Sequence, residues 1–166
     1  MASNIYNGTK TAFMDGSSGS SVYAGSEMPL DLGGDVIGTL LASDDTSYTF
    51  DATDGDYVSD IFDGGATAQE FNGSGYTRTD GDHSSQSITE DNGNGRAEYD
   101  ANDVTFSGLD GDAIQFALVA KQVGGDWTSP GDDPLVAFID SSDFPLTTNG
   151  GDVTISWDAE GIVHIT

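Results

Sequence analysis

Near the C-terminus, Val153-Thr154-Ile155-Ser156-Trp157 alternates cleanly, with Val153, Ile155 and Trp157 facing one way and Thr154 and Ser156 the other. A period of two is the signature of a half-buried strand. Glu160-Gly161 supplies a turn and Ile162 to Ile165 runs back, which predicts a terminal hairpin. Ala113 to Gln122 and Leu135 to Asp140 (LVAFID) are apolar on both faces and read as central strands. Further strands are predicted within Asp35 to Ala42, Tyr48 to Asp51, Arg96 to Tyr99 and Val104 to Phe106. Ser84 to Thr89 reads as an edge strand. Helix is scarce. Asn4 to Met14 sets Ile5, Tyr6, Thr9, Ala12 and Phe13 on one face, and Tyr57 to Phe62 fits a single helical turn with Asp54 or Asp56 near its start.

These elements predict an all-β fold, a β-sandwich or jelly-roll-like single domain with a short N-terminal helix or arm. The Ser17 to Ser21 stretch (SSGSS) divides an arm over residues 1–20 from a sandwich over residues 21–166. Phe71, Tyr76, Tyr99, Phe106, Phe116, Phe138 and Trp157 are expected in the core. Trp127, in a loop between the two central strands, is expected either at an interface or as a cap on the sandwich.

Charge changes the picture most. The chain of 166 residues carries 29 Asp plus Glu against 4 Lys plus Arg, a formal net charge of −25. On a domain of this size the acids stand about 16 Å apart, and each neighbouring pair repels by about 0.26 kcal/mol in water. Over about 90 such pairs the repulsion is about 20 kcal/mol unscreened and about 5 kcal/mol at 0.1 M salt, and it all but vanishes at 1 M. Such a coat suits molar salt. The acids are interspersed with Gly, Ser and Thr among 8 Phe, 6 Tyr and 2 Trp, unlike a disordered acidic tail.

The same charge argues against nucleic-acid and anionic-membrane partners, and no apolar run approaches a spanning length. The N-terminus lacks the basic and apolar regions of a secretory signal, so synthesis in a salty cytoplasm is expected. Cysteine is absent.

Candidate chemistry is thin. His83, in Asp80-Gly81-Asp82-His83-Ser84, is expected in solvent, and His164 at an edge or surface; neither has a partner at metal-ligand spacing. No pattern marks a nucleophile or a catalytic carboxylate pair, and no enzyme is expected. Asp51, Asp54, Asp56, Asp80 and Asp82 concentrate hard oxygen ligands in turns that suit Ca²⁺, Mg²⁺ or Na⁺/K⁺. Their spacing departs from the EF-hand order, as does that of Asp91-Asn92-Gly93-Asn94-Gly95. Diffuse counter-ions, with no required cofactor, are the competing reading. Arg78, Arg96 and Lys121 are so rare among acids that each is expected to make a specific ion pair, and with Trp127 they are the expected interface residues; an ordinary exposed position is the competing reading.

Several stretches resemble a family of small β-rich virion proteins of tailed viruses of bacteria and archaea. They are Ser47-Tyr48-Thr49-Phe50-Asp51-Ala52 with Asp56 to Ile61, Glu70 to Arg78, Asn94 to Phe106, and Thr148 to Trp157 with Glu160-Gly161-Ile162. Phe116 to Lys121 and Pro134 to Asp140 fall between them in the same order. The likeness spans Met28 to Thr166. It implies a non-enzymatic structural protein of the particle, a capsid decoration or turret (minor capsid) protein on the head exterior. Its implied partners are the major capsid protein and copies of itself, with a homotrimer favoured. The acid load points to a virus of a salt-loving archaeon. A host-recognition or carbohydrate-binding module, and a neck or tail component, are the alternatives.

Overall fold

A computed structural model describes residues 2–7, 9–10, 30–43, 48–53, 55–62 and 68–165. Among these residues ten strands form three antiparallel sheets: β1 (Ala2–Ile5), β2 (Ile37–Ser43), β3 (Gln69–Glu70), β4 (Ser87–Asp91), β5 (Arg96–Asp100), β6 (Val104–Leu109), β7 (Ile114–Lys121), β8 (Leu135–Asp140), β9 (Gly151–Ile155) and β10 (Val163–Ile165). The largest sheet has the order β1-β8-β7-β2-β3; the others are β10-β5-β4 and β6-β9.

Alternation sorts the large sheet's side chains into two cores. Ile37 and Leu41 of β2 join Ala117 and Val119 of β7 against Phe71, Tyr99, Phe106, Leu109 and Ile155, the face covered by the two smaller sheets. Leu40, Ala42, Phe116, Leu118 and Phe138 point the other way, onto Tyr6, Trp127 and a short helix, α1 (Val58–Phe62). Burial on both faces is why β7 and β8 are apolar apart from Gln115, Lys121 and Asp140. The expected core aromatics Phe71, Tyr99, Phe106, Phe116 and Phe138 are all buried, and Tyr76 and Trp157 pack against them.

Three local expectations differ from the structure. The terminal hairpin does not form: β9 pairs with β6, and β10 with β5. Trp157 is held at the 102–103 corner, where its backbone N–H reaches Asp103 Oδ1 (3.1 Å) and its indole N–H reaches Asn102 O (3.1 Å). Past the turn, Ile162 N–H donates instead to Tyr99 O (2.8 Å). Second, Asn4 and Ile5 lie in β1, where Ile5 opposes Ala137, rather than in a helix. Helical turn begins only after them, with Lys10 N–H on Tyr6 O (3.1 Å); the rest of the expected helix and Ser17 to Ser21 lie outside the described residues. Third, Tyr48–Phe50 joins no strand ladder and instead lays its rings on Phe116 and Phe138. Helix α1 is capped by Asp60, whose Oδ2 accepts from the N–H groups of Asp56 and Tyr57 (2.9 Å each). Asp54 lies outside the described residues.

Candidate functional site

Three of the four cations, Arg78, Arg96 and Lys121, sit in ion pairs with the chain's own carboxylates, while the exposed Lys10 donates to Asn7 Oδ1 (3.5 Å). Arg78 grips Glu70 with a two-pronged fork, Nε to Oε1 at 2.8 Å and Nη2 to Oε2 at 2.6 Å. Tyr76 Oη donates to the same Oε1 (2.8 Å), and Arg78 Nη1 donates to Trp127 O (3.0 Å). Trp127 Nε1 in turn donates to Asp82 Oδ1 (2.8 Å). This network ties the 122–134 loop to β3 and the 3-10 turn Arg78–Gly81. Burial, with Glu70 adjacent, raises the Tyr76 phenol well above its ordinary pKa. Lys121 pairs with Asp35 (2.9 Å), and Arg96 lies within reach of Asp91, Glu98 and Glu160.

Trp127 is only 7 % exposed, and its ring covers Gly38. A Cβ at Gly38 would stand 2.6 Å from the indole, so β2 needs glycine there for the tryptophan to seat. Within one chain, Trp127 therefore caps the outer face of the large sheet.

His83 is buried, contrary to its turn-like sequence context, with 8 % exposure. Thr39 Oγ1 meets its Nε2 and Tyr99 Oη meets its Nδ1, both at 2.8 Å. Desolvation lowers its pKa to about 4, so the ring is neutral at pH 7. With both ring nitrogens bonded to hydroxyls and Trp157 5.5 Å away, His83 serves as a polar rivet between β2 and β5. His164 is exposed on the edge strand β10, as its alternation predicts.

Four of the five candidate metal ligands, Asp51, Asp56, Asp80 and Asp82, lie among the described residues. Asp51 Oδ1 accepts from Thr53 N and Oγ1, which holds its carboxyl below the ordinary range. Asp80 Oδ2 accepts from Thr77 N and Oγ1. Burial raises the Asp56 and Asp82 carboxyls, with Asp60 and Asp80 respectively adding to the effect. Among the described residues no group of three or more His, Asp or Glu is placed to hold a metal ion.

One notable group gave no signal in the sequence. Asp133 looks like one more turn acid before Pro134, yet it is fully buried. Its Oδ1 accepts from Val123 N–H (2.8 Å), whereas Oδ2 has no partner. Burial pushes its pKa up to about 6, against the lowering effect of the Val123 bond.

Among the grooves on the described surface, two are lined by apolar or aromatic side chains from the sheets. One, of about 290 Å³, crosses the β10-β5-β4 sheet, with Tyr99 and Val163 as floor and Ile88 and Ile165 as walls. The other, of about 500 Å³, lies over Phe116 and Phe138, with Tyr48, Phe50, Asn4 and Asp140 around it. No helix among the described residues is long and apolar enough to cross a membrane. No family model, curated protein or solved structure matches the chain.

Proposed function

We propose that this chain is a non-enzymatic structural subunit of a virus particle, a capsid decoration or turret protein on the head of a tailed virus of a salt-loving archaeon. The observation that carries the reading is how charge is distributed. Arg78, Arg96 and Lys121 are paired with carboxylates of the same chain. The described surface is thereby dominated by Asp, Glu, Ser, Thr and Gly, with Lys10 as its exposed lysine. Such a coat holds water in molar salt, repels polyanions and offers little to a substrate. The resemblance in the Glu70 to Arg78 and Asn94 to Phe106 segments supports the same assignment, since these segments supply the Arg78–Glu70 fork and the β5–β6 corner.

Quantitative gel analysis of purified particles tests it. Hundreds of copies per particle are expected; about a dozen or fewer would move the protein to the neck or tail, and absence from particles would overturn the reading. A second reading, host-surface recognition, is favoured by the groove of half-buried Tyr48 and Phe50 beside Asn4 and Asp140, which combines ring surface with amide and carboxylate groups suited to sugars. Binding of the isolated protein to a glycan array, lost in Phe50→Ala, would favour that reading.

A further inference from the structure

Strand β4 is an edge. In the β10-β5-β4 sheet it has β5 on one side and, among the described residues, no strand on the other. Its five residues, Ser87-Ile88-Thr89-Glu90-Asp91, pair with β5 without a register shift. Natural edges are blunted by charged side chains, lysine above all, by proline or by a bulge; this one has no lysine, proline or bulge, and its charges are Glu90 and Asp91 at its C-terminal end. Ile88 is 57 % exposed and stands at the mouth of the apolar groove, with Ile165 of β10, 42 % exposed, across it. Molar salt strengthens the drive to cover such surface.

The orientation of the backbone follows from one bond. Ile162 N–H donates to Tyr99 O, so Tyr99 turns its polar backbone groups toward β10. Successive residues of a strand turn theirs to opposite sides, so Glu98 points its groups at β4 and bonds with Thr89, its register partner. Ile88 and Glu90 therefore direct N–H and C=O outward. No hydrogen bond from outside the ladder meets them among the described residues.

We infer that β4 is a docking edge for a second copy of this chain, antiparallel and two-fold about Thr89, so that the two three-stranded sheets join into one of six. In that register Ile88 faces Glu90 of the second copy, and each such pair exchanges two backbone hydrogen bonds, so the outward groups of both strands are satisfied. Thr89 faces Thr89 in the close, non-hydrogen-bonded position, a favourable cross-strand pair. In molar salt the charge placement permits this occupant, with the two Glu90 side chains only diagonal to each other. No acid lies directly across the seam from another: Asp91 faces Ser87, and Glu90 faces Ile88. Asp91 is already held by Arg96 at 3.2 Å, as is Glu98 at 2.7 Å. The contact is isologous and yields pairs, whereas a cyclic trimer requires a different, head-to-tail patch. It stands independently of the virion assignment.

The test is oligomeric mass and cross-linking on the full chain. In 3 M NaCl at about 0.1 mM the wild type is expected at twice the monomer mass, with the dimer weakened at least tenfold in Glu90→Pro and Ile88→Asp. The proline removes only an outward N–H, and the aspartate sets acid against acid across the seam; circular dichroism shows whether each variant is folded. Because the chain has no cysteine, Thr89→Cys should form a disulfide-linked dimer under mild oxidation, as Cα atoms about 4.5 Å apart allow. Ser87→Cys, displaced about 13 Å from its copy, should not. A wild type that is monomeric or only trimeric in 3 M NaCl overturns the inference. So does a dimer unaffected by both substitutions, or cross-linking at Ser87 as readily as at Thr89.

Discussion

Replacing Asp133 by asparagine should change how the protein's stability depends on pH. The side chain is fully buried, with Oδ2 unpartnered and a pKa of about 6. A carboxyl whose folded pKa lies above its unfolded value binds more protons when folded. Asp133 thus favours the fold below its unfolded pKa near 3.8, and that support is lost as pH rises through about 6. The shift of about two units corresponds to about 2 kcal/mol once solvent screening is allowed for. His83 acts oppositely. Its folded pKa of about 4 lies below the unfolded 6.5, so its support is present above pH 6.5 and is lost as pH falls toward 4. Near pH 5 each group changes stability by about 1 kcal/mol per pH unit, with opposite signs. They nearly cancel.

The amide introduced by Asp133→Asn would keep an oxygen for the Val123 N–H and remove the titration. The His83 contribution is then no longer opposed by Asp133. Urea unfolding of both proteins in 3 M NaCl, from pH 4 to 7.5, measures the difference. The stability of Asp133→Asn relative to wild type should rise by about 2 kcal/mol across that range, most of it between pH 4.5 and 6. A relative stability constant with pH would mean that Asp133 is ionised in the fold and would refute the reasoning.

Complementarily, His83→Gln should lose less stability than wild type between pH 6.5 and 4, measured by the same unfolding series. Arg78→Met should cost about 2 kcal/mol, because Glu70 keeps only the Tyr76 hydroxyl of its hydrogen-bond partners, and the loss should be similar in 1 M and 4 M NaCl. Gly38→Ala should lower stability by about 2 kcal/mol by unseating Trp127, visible as a red shift of tryptophan emission; an unshifted spectrum would mean that the indole does not rest on Gly38.

The strands were legible wherever burial dictates composition. β7 and β8 announce themselves because both faces are covered, and β9 because one is. What could not be read locally is what depends on pairing across long separations. Val153 to Trp157 and Ile162 to Ile165 carry hairpin chemistry, yet Tyr99 and Asp103 outcompete the local partner. His83 and Asp133 illustrate the same limit for single residues. Each sits among turn formers, and each is buried by elements distant in sequence: β2, 44 positions from His83 to Thr39, and the fold of the 122–134 loop on itself around Val123. The ion pairs fell between these cases. Scarcity alone marked Arg78, Arg96 and Lys121, but Glu70 and Asp35 as partners required the fold.

The allocation of these few cations follows from the medium that the acid count implies. At molar salt the Debye length is about 3 Å, no greater than the reach of an ion pair, so a lysine on the surface is screened from the acids around it. A cation contributes only where water and salt are excluded. Arg78 and Arg96 meet that condition, with side chains 15 % and 11 % exposed, as does Lys121 at 9 %. Each sits where two segments must be joined: β3 to the 3-10 turn and the 122–134 loop, the β4–β5 hairpin to Glu160, and β7 to the turn before β2. Adding cations elsewhere would lower the net charge without adding structure in that medium. Four cations against 29 acids is then the balance expected of a chain whose repulsion is removed by solvent electrolyte and three of whose positive charges serve as internal ties.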